Sequence, residues 1–179
     1  MVRFRILIFL LLSGIPVAQS AQAGFFEVTL GFSYSRSNYA ADNYTWTRRY
    51  GGSVGYNFTD RTSIEWDFQD IVERTKLSTQ DTTFHDQVYA LNWVQSYTPK
   101  GSVIQPYTKL GLALLNRDAS GNIALTQLDE ESAVLGLGFR IYLSNRFAIR
   151  IEGTTYLEKL QLKTWEDNIA ITFGTSVFF

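Results

Sequence analysis

The chain has 179 residues, 45 % apolar, 15 % aromatic and 18 % charged, with 13 Gly, 3 Pro, no Cys and one His. That length suits one domain, and the apolar share argues against general disorder. Absent Cys excludes a disulfide scaffold, a thiolate metal site and a cysteine nucleophile; a lone His speaks against a histidine metal centre, and a formal net charge of −1 gives no reason to expect a nucleic-acid partner.

Residues 1–23 read as a cleavable secretory signal peptide. Arg3 and Arg5 form a basic start, Ile6 to Leu12 is a continuous apolar run, and Ala21-Gln22-Ala23 fits the small-x-small cleavage rule. The run is short for a membrane anchor, which needs about 20 residues. Residues 24–179 then form the single domain.

That domain shows apolar/polar alternation with a period of two, the mark of strands with unlike faces. Phe26, Val28, Leu30, Phe32 and Tyr34 share one face of the first segment. Trp46, Tyr50, Val54, Tyr56 and Phe58 define the second, and Ile64, Trp66, Phe68 and Val72 the third. The fourth is mixed: Tyr89, Leu91 and Trp93 alternate, but Val88 and Val94 fall on the opposite parity. Leu110, Leu112 and Leu114 mark the fifth, Ala133 to Ile141 the sixth, Phe147, Ile149 and Ile151 the seventh, and Ile169 to Phe179 the eighth. Short turns are expected at 59–61, 98–101 and 144–146, and longer polar loops near 36–44, 75–84, 116–130 and 158–167. Tyr156 to Leu162 also reads as loop.

An exported eight-stranded chain fits a soluble lipocalin-like barrel as well as a membrane barrel. The polar parity discriminates. It carries Gly31, Gly51, Gly55, Gly111, Gly136, Gly138 and Gly174 with Ala113, Ala148 and Ala170. Glycine weakens a strand and serves no purpose on a wet face, whereas a narrow lumen requires small residues. The apolar parity carries bulky groups suited to lipid. Phe26, Phe58, Tyr97, Phe147 and Phe179 fall near one rim and Tyr34, Tyr44 and Trp46 near the other, like two aromatic girdles. Arg48 has outward parity near the second rim, within reach of headgroups. The expected fold is therefore all-β: an eight-stranded antiparallel transmembrane β-barrel, with termini and short turns periplasmic and long loops extracellular.

The chain resembles the small eight-stranded bacterial outer-membrane barrels of the OmpX and OmpA-membrane-domain type. Three features carry the likeness: Ile169, Ile171, Phe173, Val177 and Phe179 on one face of the last segment, Pro106-Tyr107 followed by Gly111, and Gly136-Leu137-Gly138. The resemblance implies that Phe173, Val177 and Phe179 form the C-terminal signal read by the barrel-assembly machinery. The chain stops at the expected eighth strand, so the peptidoglycan-binding domain of full OmpA-like proteins is expected to be absent.

Barrels of this class include structural proteins, adhesins and a few lipid A-modifying enzymes. Catalysis is not expected. His85 and Asp86 are sequence neighbours and point to opposite faces of a strand. Gln87 stands where the deacylases of this architecture carry Ser two residues after a His. No catalytic, metal or cofactor residue is assigned. The lumen instead receives Glu27, Glu65, Asp67, Asp86 and Glu152 against Arg49, Lys109, Arg140 and Arg150. Buried charges must pair, so these nine are expected to form an ionic core that plugs a narrow barrel; a small channel is the rival reading. The expected loops carry Arg36, Asn38, Tyr39, Asp42 and Asn43 in the first, Arg117, Asp118, Asp129, Glu130 and Glu131 in the third, and Glu158, Lys159, Lys163, Trp165, Glu166 and Asp167 in the fourth. They would meet lipopolysaccharide or an external ligand, directly or through divalent cations. The expected partners are outer-membrane lipids and lipopolysaccharide, and the expected role is structural or surface-interacting.

Overall fold

In the computed structural model, which describes residues 25–40, 43–77, 80–100, 102–121, 128–158 and 169–179, each alternating segment is a strand. They are β1 (Phe26–Ala40), β2 (Asn43–Asn57), β3 (Thr62–Leu77), β4 (Gln80–Ser96), β5 (Ile104–Gly121), β6 (Leu128–Ser144), β7 (Phe147–Glu158) and β8 (Ala170–Phe178). All neighbours are antiparallel, and β8 pairs with β1 to close the barrel. Closure gives the strands a partner on both sides within the barrel band, while beyond Phe32 β1 pairs with β2 alone among the described residues. There is no helix among the described residues.

The pleat sorts the residues as their alternation predicts. Leu30, Trp66, Leu137 and Phe173 are 67, 62, 67 and 59 % exposed, in a coat that includes Phe32, Val54, Phe68, Leu91, Leu112, Phe139 and Ile171. An apolar surface this extensive calls for lipid rather than water. One aromatic rim is a contiguous cluster in which Phe26, Tyr56 and Phe58 meet edge-on and Phe58 stacks on Trp93. Inward, the registered row Glu27, Gly55, Glu65, Asn92, Gly111, Val134, Tyr156 runs from near the start of β1 to the far end of β7, which reflects the tilt of the strands.

The expected long loops require correction. The segments near 36–44, 75–84 and 116–130 are mostly strand, since β1 reaches Ala40, β2 starts at Asn43, β3 reaches Leu77, β4 starts at Gln80 and β5 reaches Gly121. Tyr156–Glu158 likewise belongs to β7, while 159–168 lies outside the described residues. Beyond the apolar band both faces of a hairpin are wet, so alternation disappears while the backbone ladder continues. β4, at 17 residues, and β5, at 18, are longer than a crossing strand needs, which is about 9–11 residues. Polar cross-strand pairs hold the extension together: Thr45 Oγ1 with Thr75 Oγ1 at 3.0 Å, and Arg74, whose Nε and Nη2 donate to Asp81 at 2.9 and 2.6 Å. The hydrogen bond from Arg74 holds the exposed Asp81 carboxyl below its ordinary range. A depressed carboxyl contributes above its unfolded pKa and loses that contribution as pH falls through its folded pKa. Acidification below the usual carboxylate range should therefore release the Arg74 Nε–H signal in NMR spectra and leave the barrel folded, because an exposed pair contributes little.

The turns at the opposite end are tight. Thr59 Oγ1 accepts hydrogen bonds from the Arg61 and Thr62 amides at 3.1 and 3.0 Å.

Candidate functional site: the charged lumen

Two alternate inward positions of β7 set the centre of the lumen. Arg150 and Glu152 share a face, as do Glu65 and Asp67 on β3, because residues two apart on a strand point the same way. Arg150 donates from Nη1 and Nη2 to both oxygens of Glu65, the Nη2–Oε2 bond being 2.8 Å. It also donates to Glu152 Oε2 at 2.6 Å, to Tyr107 Oη at 2.6 Å and to Thr29 Oγ1 at 3.3 Å. Lys109 Nζ sits among three carboxylates, 2.9 Å from Asp67, 2.9 Å from Glu152 and 3.1 Å from Glu65. Arg140 pairs with Glu27 at 2.9 Å, donates to Ser96 Oγ at 3.2 Å and lies over the Tyr107 ring at 4.6 Å. Seven of the nine lumen residues named from parity thus meet in one network. Asn92 and Thr154 complete it by donating to Asp67 and Glu152 at 2.9 and 2.8 Å.

The other two stand apart. Asp86 lies further along β4, where both of its oxygens accept from Arg117 at 2.8 Å. Arg117 was expected in a loop, but it is an inward residue of β5 and stacks over Phe84 at 5.3 Å. Asp118, Glu130 and Glu131 are also strand residues, and Asp129 occupies a position on β6. Arg49 lines the wall of a cavity of about 50 Å³ together with Asp67, Gln69, Lys109, Arg150, Glu152 and several glycines. Arg49 Nε, Asp67 Oδ1 and Gln69 Oε1 are buried without a protein hydrogen-bond partner, and a polar cavity of this kind takes ordered water.

Between the network and the Asp86–Arg117 pair lies an apolar layer of Ile71, Val88, Ala90, Ala113, Val134 and Tyr156. The mixed alternation of β4 reflects lumen filling: Val88, in this layer, and Val94, beyond Asn92 beside Lys109, are 1 and 0 % exposed. Toward the tight-turn end, Phe178 packs on Tyr142 with Lys100 over its ring, and Gln105 accepts from Tyr142 Oη at 3.0 Å. Phe173, Val177 and Phe179 point outward, at 59, 37 and 70 % exposure.

Asn92, Thr154, Thr29 and Ser96 were not assigned from sequence, and three further residues stand out. Tyr107 accepts from Arg150 and donates to Glu152 at 2.6 Å. Its signal was the register that sets it opposite Gly138, where any Cβ would overlap its ring. Phe178 is buried although both of its neighbours point outward. His85, on the outward face, bonds through Nε2 to Asp70 on β3 at 2.7 Å, a partner that sequence adjacency does not reveal. Across the strands it is registered with Val72 and Asp118; Thr83 and Gln87 lie two residues along its own strand, and the exposed Ser120 lies diagonally across on β5.

A closed barrel with an apolar coat and an ion-paired interior is a small transmembrane β-barrel. The chain belongs to the outer membrane protein beta-barrel domain family, which matches residues 7–176, and its place is the outer membrane. Its fold is similar to the N-terminal β-barrel domain of Pseudomonas aeruginosa OprF, at 18 % identity over 88 % of this chain and 100 % of that one, with a TM-score of 0.65. OprG from the same organism is similar at 13 % identity over 87 and 90 % of the two chains, with a TM-score of 0.57. Yersinia pestis Ail, the attachment invasion locus protein, matches at 14 % identity over 88 and 100 %, with a TM-score of 0.52. Among curated proteins none matches.

Proposed function

We propose that the chain is a non-enzymatic outer-membrane barrel that stabilises the envelope and presents its extended hairpins outside, with termini and tight turns periplasmic. The observation that carries this reading is the lumen, where ion pairs, an apolar layer and the Phe178 end stack along the barrel axis. Such an interior rigidifies a barrel and serves neither passage nor catalysis. Residues 1–23 act as the export signal, and Phe173, Val177 and Phe179 as the signal to the assembly machinery. The extended hairpins suit surface contacts; Ail has been crystallised in complex with the heparin analogue sucrose octasulfate.

The rival reading is a lipid A-modifying enzyme built on the Asp70–His85 pair. Lipid A mass spectrometry of cells with the protein, without it and with His85→Ala tests it. Identical spectra in all three are expected; a mass change lost in His85→Ala would make the chain an enzyme.

A further inference from the structure

The apolar layer of the lumen is one-sided. Its members come from β3 to β7, and none comes from β8, β1 or β2 among the described residues. Val88, Ala113 and Val134 in that layer are 1, 3 and 1 % exposed. On the other side the inward positions are small or polar. Gly31 is registered with Gly51 on β2 and Gly174 on β8, and Ser33 with Arg49. These five are only half-buried, and Ser35, the next inward position of β1, is exposed. β1 and β8 also stop pairing with each other at Phe32 and Phe173, although Ser33–Ser35 and Ala170–Thr172 are still strand. The lumen is thus open on this side, from the end with the extended hairpins down to the cavity of about 50 Å³ that the three glycines wall. It ends there, because Arg150 in the cavity floor is bonded to Glu65 and Tyr107 below.

This pocket is dipolar. Its floor belongs to the central network, where Glu27, Glu65, Asp67 and Glu152 face Lys109, Arg140 and Arg150, four carboxylates against three cations. Asp67 is 6 % exposed; Lys109 and Asn92 hold its Oδ2, while its Oδ1 has no donor among the described residues. By register Arg49 stands opposite Ile71, two positions nearer the hairpin end than Gln69 and four nearer than Asp67. Arg49 forms no ion pair among the described residues, and its Nε–H is buried without an acceptor. The inward carboxylates near it are engaged, Asp86 with Arg117 and Glu73 with the Thr47 hydroxyl at 3.5 Å. Between the two levels, Gln69 Oε1 also lacks a donor. Buried donors and acceptors left unmet cost free energy until a partner arrives. A simple anion would meet the carboxylate excess of the floor, and a simple cation would meet Arg49 and Lys109. A molecule negative at its upper end and positive at its lower end suits all three free groups.

We propose that the β8–β1–β2 side of the lumen is a closed-ended binding pocket for a small zwitterion, with its carboxylate on Arg49 and its ammonium group on Asp67 Oδ1 and Gln69 Oε1. The planar fork of Arg suits a carboxylate, and the ammonium group supplies the donors that the two oxygens lack. A water occupies about 10–15 Å³ of such a cavity, so the site takes a ligand of about five non-hydrogen atoms in place of a few waters.

The test uses the full barrel in nanodiscs, titrated with glycine and, separately, with its two halves, acetate and methylammonium. The Arg49 Nε–H signal in NMR spectra reports occupancy. Glycine should shift it saturably, and each half should bind about tenfold or more weakly. Arg49→Gln, followed through backbone amide signals of β2, should weaken glycine binding by about tenfold or more. Gln69→Leu should weaken glycine binding by several-fold and leave that of acetate within about twofold, since only the ammonium contact is lost. Asp118→Asn, on the outward face, should change glycine affinity by less than about twofold. The absence of a saturable glycine shift, equal binding of glycine and acetate, or a folded Arg49→Gln variant that keeps wild-type affinity overturns the site. Folding is read from the mobility of unboiled samples; should Arg49→Gln not fold, Gln69→Leu and the comparison of glycine with its halves decide.

Discussion

Arg150→Ala should be the most damaging single change in the lumen, lowering the unfolding free energy by about 3–5 kcal/mol. The side chain holds Glu65 through both oxygens, Glu152 through Oε2 and the Tyr107 hydroxyl. Its removal leaves the central network with Glu27, Glu65, Asp67 and Glu152 against Lys109 and Arg140. These carboxylates are 0 to 7 % exposed, so water cannot take over the solvation that Arg150 supplies. Glu152→Gln should cost less, because the amide oxygen can keep either the Arg150 bond or the Lys109 bond, though not both, while the carboxylate excess falls. Urea titration in detergent, followed by the mobility of unboiled samples, measures both. A loss below about 1 kcal/mol for Arg150→Ala would show that the network does not carry the stability assigned to buried pairs.

Gly111→Ala should cost about 1–3 kcal/mol by overpacking. Its Cβ would collide with Asn92 Oδ1 and with the Leu91 carbonyl, and backbone cannot step aside as a flexible side chain can. Asn92 in turn is held by its bond to Asp67 at 2.9 Å. Gly153 is the comparison: it faces outward, and its Cβ would meet nothing nearer than the Leu137 carbonyl at 3.9 Å. Gly153→Ala should leave stability within about 0.5 kcal/mol of wild type or raise it slightly, since glycine weakens a strand. Equal losses at the two sites, in the same urea titration, would mean that lumen crowding does not explain the inward glycines.

Strand number and facing were legible because lipid and a narrow lumen impose opposite demands on alternate residues. Val54 and Gly55, or Leu137 and Gly138, already state which side is which. The ends of the strands were not legible, because past the bilayer neither face of β3 or β4 has to be apolar. Thr75, Lys76 and Asp81 look like loop residues although they pair. The charged members of the lumen could be named from parity, but their partners could not. Asp86 finds Arg117 rather than the central cations, because partner choice depends on height around a tilted barrel. Val88 and Val94 looked like errors of alternation; they are an apolar filling where the lumen needs volume and no charge. Neutral overall hydropathy is thus the average of a lipid-facing coat and a charged interior.

The central proposal is that this interior is sealed. Planar-bilayer recording of the purified wild-type barrel tests it most directly. Sustained ohmic conductance should be absent, and Glu152→Ala should lower the unfolding temperature while adding little current. A large, stable conductance in the wild type would contradict the sealed lumen and make the chain a channel.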